Sequence, residues 1–383
     1  MRTWTGLLLC LVLAGCASAP LSVPPREGLF QDQLFAAPTQ HVSADEVFAL
    51  SDAMTRYLKT DIAHLLHTRG RHNGLVEALY RRGLLKLEYD AAMTRNASQA
   101  FEARAGNCLS LVIMTAAFAK ELGLQVHYQS AYLEETWSRS GDLLFRSGHV
   151  NLTLGRRMFD VGTSQDMSPL TIDFLPADDI RRMRTRPIPE QTIVAMYMNN
   201  RAAEALEQGQ LDNAYAWARA AVEHSPAFLS SYNTLGVIYQ RHGDLAQAAQ
   251  VFEVVLEREP QNTRAMSNLA DVLARLGRTG EADTLLARLA RIEPHPPFHF
   301  FNLGMAAMRQ DDFKAARDWF AKEVARADYY DEFHFWLGVA HFKLGDALQA
   351  RKHLTLAMEN STVRSQHELY AAKLAWLRAH STP

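Results

Sequence analysis

A 34-residue period in the second half of the chain constrains the fold more than any other feature of the sequence. Pro226, Pro260 and Pro294 form one series, which Asp328 continues. Gly209, Gly243, Gly277 and Gly345 form a second, with Asp311 in the gap. Ala214, Ala248, Ala282, Ala316 and Ala350 form a third without a break. The segment Tyr232 to Pro260 shows why such a unit folds. Leu235, Gly236 and Tyr239 share one face of a first helix, and Gly243 ends it by taking the left-handed conformation. Ala248 and Phe252 share one face of a second helix, where the small alanine admits close approach. Pro260 stops that helix.

In period and residue types the pattern resembles the tetratricopeptide repeat over about residues 195 to 360. An all-α solenoid is expected, closed by an amphipathic capping helix over Ser361 to His380 that covers the last apolar face. Such arrays bind proteins or peptides on the face made by the first helices. That resemblance implies a groove lined by Phe298, Phe301, Met305, Phe335 and Phe342; packing of these aromatics between helices is the competing expectation.

The 383 residues are too many for one ordinary core, so a second domain is expected ahead of the repeats. A net charge of -2 gives no reason to expect a nucleic-acid partner. The chain opens with Met1-Arg2, an apolar run from Trp4 to Val12 too short to span a bilayer, and then Leu13-Ala14-Gly15-Cys16. This resembles a bacterial lipobox, implying cleavage before a lipidated Cys16 and attachment through that lipid to a membrane. Ala17 in place of aspartate points to the outer membrane, facing the periplasm, if the source is Gram-negative. The organisation read from the sequence is a signal peptide at 1-15, a lipidated tether at 16-42, a first folded domain at 43-175, a linker at 176-194 and repeats at 195-383.

Of three cysteines, Cys10 leaves with the signal and Cys16 carries lipid, so Cys108 remains as an unpaired thiol in an oxidising compartment. It lies in Arg104-Ala105-Gly106-Asn107-Cys108, ahead of a helical run to Leu122. Asn107 is a good N-cap, which places Cys108 in the first turn, where unsatisfied amides and the helix dipole favour a thiolate. Ser43 and Glu46 form a plausible capping box for an earlier helix carrying Leu50, Met54, Tyr57 and Leu58. His64, His67 and His72 are close in sequence, but no third ligand at metal-site spacing accompanies them, and neither metal nor cofactor is called for.

Beyond Gly123 the pattern changes to period two. Gln125 to Leu133, Leu143 to Phe145, His149 to Leu154 and Arg157 to Val161 read as antiparallel strands. A two-residue turn at Gly155 puts His149 and Asp160 on one face of a hairpin, whereas a three-residue turn would put them on opposite faces. A cysteine at a helix start, then histidine and aspartate on strands, resembles the transglutaminase-like superfamily. The matching elements are Gly106-Asn107-Cys108, His149-Val150-Asn151 and Met158-Phe159-Asp160, within about residues 75 to 170. Asn151 stands where many members carry an aromatic residue.

The resemblance implies an α+β papain/transglutaminase-like domain ahead of the solenoid. It makes Cys108 the nucleophile, His149 the general base and acid, and Asp160 its partner, with Gln99 as side-chain oxyanion donor. The expected activity is cysteine-dependent acyl transfer on an envelope protein or peptide recruited by the repeats. Hydrolysis is favoured over crosslinking because water is abundant. The alternative expectations are a catalytically inactive scaffold for envelope complexes and a thiol sensor.

Overall fold

The computed structural model describes residues 28-80, 85, 87-140, 143-155, 170-174 and 184-380. The signal peptide, Cys16 and Asp160 lie outside the described residues, as does Arg157 to Val161.

The first half builds a small mixed α/β body. It begins with three short helices, α1 (Asp52–Arg56), α2 (Ala63–Arg69) and α3 (Arg71–Tyr80). The N-cap of α1 is Ser51, whose side chain accepts the Met54 amide. The box expected at Ser43 and Glu46 is not used: Glu46 pairs instead with His41 at the surface. Strand β1 (Glu88–Tyr89) runs parallel to β2 (Ala105–Gly106), and between them lies α4 (Ala97–Ala103). Helix α5 (Cys108–Glu121) follows, and every residue from Leu109 to Ala119 is buried. A helix apolar on all faces must be the centre of a core rather than a surface element.

Four antiparallel strands pack against α5. Their order is β5 (Leu170–Ile172), β4 (Leu143–Gly155), β3 (Gln125–Ser140) and β6 (Arg184–Ile188). Strands β3 and β4 pair with Gln125 opposite Gly155 and Ser140 opposite Leu143; the strand expected after the Gly155 turn lies outside the described residues. Residues 184-188, expected as linker, form the edge strand on β3.

Ten helices form five antiparallel pairs: α6 (Glu190–Glu207) and α7 (Leu211–His224), α8 (Leu229–His242) and α9 (Leu245–Arg258), α10 (Thr263–Arg275) and α11 (Thr279–Ile292), α12 (His299–Arg309) and α13 (Phe313–Arg326), α14 (Asp331–Lys343) and α15 (Ala347–Asn360). Each series in the sequence has its physical counterpart. Gly243 closes α8 at φ +105°, and its equivalents Gly209, Gly277, Gly345 and even Asp311 share the left-handed sign. The five alanines of the unbroken series are all buried. At Gly236 a Cβ would lie 2.5 Å from the Phe252 ring, so the helices are packed to contact across that glycine. Helix α16 (Arg364–His380) caps the array, burying Tyr370, Leu374 and Leu377. No helix among the described residues is long and apolar enough to cross a membrane.

The two halves share one core. Helix α6 starts after Pro189 and is held to the first body at once: Glu190 accepts from Tyr128 Oη at 2.8 Å and from Lys120 Nζ at 2.7 Å. The apolar cluster runs without interruption from Leu29 to Ala282, whereas Phe298 to Ala340 and Ala350 to Leu377 form separate clusters.

Residues 28-42, the later part of the span expected as a lipidated tether, are packed onto the repeats. They lie along α7 and α8. The Phe35 ring stacks on Tyr215 at 4.0 Å, and the Gln31 amide donates to Tyr215 and Tyr239 hydroxyls at 3.0 Å each. Asn213 accepts the Thr39 amide at 2.8 Å, and Trp217 donates to Gln40 at 2.9 Å. Each backbone group of the segment that finds a partner here removes a cost that free chain would meet with water alone.

Candidate functional site

Cys108 stands at the first position of α5, as N-cap chemistry dictates. Asn107 takes an extended conformation and its side chain accepts the Ser110 amide at 2.9 Å. The cap is anchored further. Ser110 Oγ accepts the Arg95 amide at 2.8 Å, and Asn107 Nδ2 donates to Thr94 Oγ1 at 3.0 Å. Thr94 in turn is held from α6, by Asn200 Nδ2 at 3.1 Å and by Glu204, which accepts its amide at 2.6 Å. The start of the cysteine helix is thus fastened to the first helix of the repeats. Gly106 is required for contact, because a Cβ there would lie 2.6 Å from Ser110 Cβ. Cys108 is unpaired and partly exposed.

His149 sits on β4, against α5, and only 5% of its surface is exposed. Its Nε2 meets Asp173 Oδ1 at 2.7 Å. The register of β4 with β5 explains the meeting. Leu152 pairs with Ile172, so Asp173, the next residue, falls opposite Asn151 and diagonal to His149, on the same face. Asn151 Nδ2 donates to the second oxygen, Asp173 Oδ2, at 2.9 Å, which orients the carboxylate. The Cys108 sulfur lies close enough to the same imidazole to favour its protonated form.

Burial alone would lower the imidazole pKa. The hydrogen bond to Asp173, the neighbouring Cys108 sulfur and the charge of the Asp173 carboxylate outweigh it and raise the value from 6.5 to about 9. The arrangement therefore stabilises a protonated imidazole beside a sulfur at a helix N-terminus, the electrostatic setting of an ion pair.

The sequence expectations meet this geometry unevenly. Cys108 and His149 are brought together. The carboxylate on His149 Nε2 is Asp173, a residue the sequence reading left in the closing part of its first domain. The signal that could have found it is the short apolar run Leu170 to Ile172 just before it, which adds a strand to the other edge of β4. Gln99, the expected oxyanion donor, is the third residue of α4, where its Oε1 accepts the Asn96 amide at 3.2 Å and its own amide is capped by Asn96.

The expected repeat groove is also corrected. Phe298 and Phe301 are buried, with Phe301 against Phe320 and Phe333. Met305 packs against the same cluster. Phe335 stacks on Tyr370 of the capping helix. Of the five, only Phe342 is exposed, at 40%, edge-on to Trp376. These rings serve helix packing because a solenoid with few units must cover its own terminal faces. Among the described residues no group of three His, Cys, Asp or Glu is arranged to hold a metal ion.

Comparison with known proteins bears on the second half. Two family models, both described as tetratricopeptide repeat, match residues 239–299 and 301–361. The TPR repeat-containing protein PA4667 of Pseudomonas aeruginosa is 26% identical over 170 residues, 40% of this chain and 29% of that protein. The chain thus spans under a third of the length of that curated relative. Among solved structures, a MamA RS-1 double mutant is 22% identical over 45% of this chain and 97% of its own, with a TM-score of 0.26. YrrB, described as a TPR protein with an unusual peptide-binding site, is 21% identical over 47% and 92%, with a TM-score of 0.26. The Thermus thermophilus TPR protein TTC0263 is 16% identical over 47% and 99%, with a TM-score of 0.30. Period, helix pairing and family models agree that the second half of this chain is an all-α array of tetratricopeptide repeats.

Proposed function

We propose that this protein is a protein-binding scaffold built on its tetratricopeptide repeats, and that the body ahead of them carries a cysteine-centred acyl-transfer site. The repeats support the scaffold role, since arrays of this kind present an extended surface to protein or peptide partners. Crosslinking mass spectrometry on the intact protein in its native envelope should give partner adducts on residues 195-383. Adducts confined to residues 43-175 would overturn the scaffold reading.

The catalytic reading is supported by one arrangement: a buried His149 meets the Asp173 carboxylate at 2.7 Å, beside a Cys108 at a helix start. In this transglutaminase-like mechanism the Cys108 sulfur attacks an amide carbonyl carbon. A C–S bond forms and the carbonyl π electrons move to oxygen. The imidazolium of His149 then gives its proton to the leaving amine as the C–N bond breaks, leaving a thioester. Water resolves the thioester with His149 as base, returning thiol and carboxylic acid; an amine in place of water gives a crosslink. Asp173 holds the ring and stabilises its charge. A thiol-directed acylating probe should label the wild type, fail with Cys108→Ala and weaken sharply with His149→Ala. Failure to label the wild type leaves scaffolding as the whole function.

Membrane attachment through a lipid on Cys16, at the outer membrane facing the periplasm in a Gram-negative host, completes the proposal. Cys16→Ser should release the protein into the soluble fraction; retention of the variant at the membrane argues against the lipid.

A further inference from the structure

The last helix pair departs from the others at three places that the 34-residue period makes comparable. His334 of α14 stands where earlier units carry Tyr232, Met266 and Phe300. His341, further along the same helix, takes the place of Tyr239, Leu273 and Ala307. His353 of α15 takes that of Val251, Leu285 and Trp319. Three apolar or aromatic positions of the repeat have become titratable together, and the fold brings them to one spot. The His334 and His353 rings stack with centroids 5.3 Å apart, and the His341 ring stacks on His353 at 5.7 Å. His334 is buried and the other two are half-buried.

Hydrogen bonding dictates where the protons sit. His334 Nε2 lies 2.9 Å from the Asp328 carbonyl oxygen, which can only accept, so Nε2 carries hydrogen. In a neutral ring this leaves His334 Nδ1 as an acceptor. Its partner is His353 Nδ1 at 3.1 Å, which must therefore donate. The same Asp328 carbonyl accepts Asn360 Nδ2 at 2.7 Å, so one oxygen ties the entry of α14 to the end of α15. The pair in turn carries the capping helix: Ala350 and Leu354 pack with Leu374 and Leu377, and Phe335 stacks on Tyr370. A first added proton can sit on His353 Nε2 without breaking the bond between the rings. A second, on His334 Nδ1, would set two N–H groups against each other across 3.1 Å.

We propose that the His334–His353 pair is an acid-released latch on the end of the repeat array. Neutral, it holds α14 to α15 and through them the cap α16; protonated, it opens the pair and uncovers the apolar face beneath the cap. The charged groups acting on the three rings are Asp328 ahead of α14, Asp346 between α14 and α15, Lys352 on α15 and Arg317 on α13; α16 contributes none. Asp346 is in contact, with Oδ2 3.4 Å from His341 Nδ1. Burial outweighs the acids and lowers all three rings below the ordinary imidazole value. For His353, burial and then the two neighbouring imidazoles bring it from 6.5 to about 4. The folded unit thus binds protons more weakly than the unfolded one. Its share of stability is whole above about pH 6.5 and is lost as pH falls toward about 4.

Amide hydrogen exchange on the full-length protein reads the latch directly. Rates are taken at about pH 7.5 and about pH 5 and corrected for the intrinsic pH dependence of exchange. Residues 331-380 should lose roughly 30-fold of their protection at the lower pH, the ratio set by 6.5 unfolded and about 4 folded for His353 alone. Residues 245-275 contain no histidine and should lose far less. His353→Gln keeps a side-chain donor for His334 but gains no proton, so its loss over 331-380 should shrink to that of the reference segment. An equal loss in both proteins, or none in the wild type, overturns the proposal. Should the glutamine weaken the unit already at neutral pH, the wild type alone still decides. Titration of its histidine rings by NMR should place His353 well below 6.5, and a value at or above 6.5 overturns the latch.

Discussion

The cysteine site and the repeat array solve opposite problems with the same chain. In the array each role is filled five times: a left-handed residue after each first helix, a small residue at each crossing. In the site each role is filled once, by residues 41 and 24 positions apart, and no period announces them. Redundant encoding protects a fold and is easy to read. Single-copy encoding is what chemistry requires, because one sulfur must meet one ring.

Substitutions should therefore split by kind. The largest effect is expected at Asp173. Asp173→Asn keeps the shape but cannot hold the imidazolium, and acylation of Cys108 should drop by about 10³- to 10⁴-fold with folding intact. Asp160→Asn should leave acylation near wild type, and a comparable loss there would move the acid of the triad to Asp160. Next comes pH. The His149 pKa is raised on folding from 6.5 to about 9, so the folded state binds the proton more tightly. Its stabilising share is complete below about pH 6.5 and disappears as pH rises through about 9, a loss of roughly 3 kcal/mol. Denaturant titrations across that window should show the decline in wild type and a much flatter profile in His149→Gln.

In the array, Gly236→Ala drives a methyl into the buried Phe252 ring and should cost about 2 to 3 kcal/mol in thermal unfolding without touching acylation. The smallest effect is expected at the strap. Phe35→Ala loses the stack on Tyr215, about 1 kcal/mol, and should be read as faster proteolysis within residues 28-42. A change in thiol reactivity in either variant would show that the two regions are less separate than their encoding.

Much of this was legible in advance, for stated reasons. Asn107 ahead of an apolar run predicts a helix start at Cys108, because capping is a local matter. The glycine and alanine series predict the helix pairs because they report backbone sign and crossing distance. What local pattern does not carry is which strand lies beside which. The alternation around His149 fixed its face, but the neighbour supplying the carboxylate depends on sheet order, and Asp173 arrives through β5 on the opposite edge from β3. The aromatics of the late units misled for a similar reason: a phenylalanine that would line a groove in a long array is needed inside a short one.

Helix α6 belongs to both halves, and that has a calorimetric consequence. Thr94, under the cysteine helix, is tied to Asn200 and Glu204, and Ile193, Val194, Tyr197 and Met198 of the same helix are buried. Among the described residues the two parts pack together through this helix, so cutting the chain near residue 185 would strip an apolar stripe from each fragment. Heating should melt everything from Leu29 to Ala282 as one cooperative unit, while the units from Phe298 onward, with cores of their own, are free to open first.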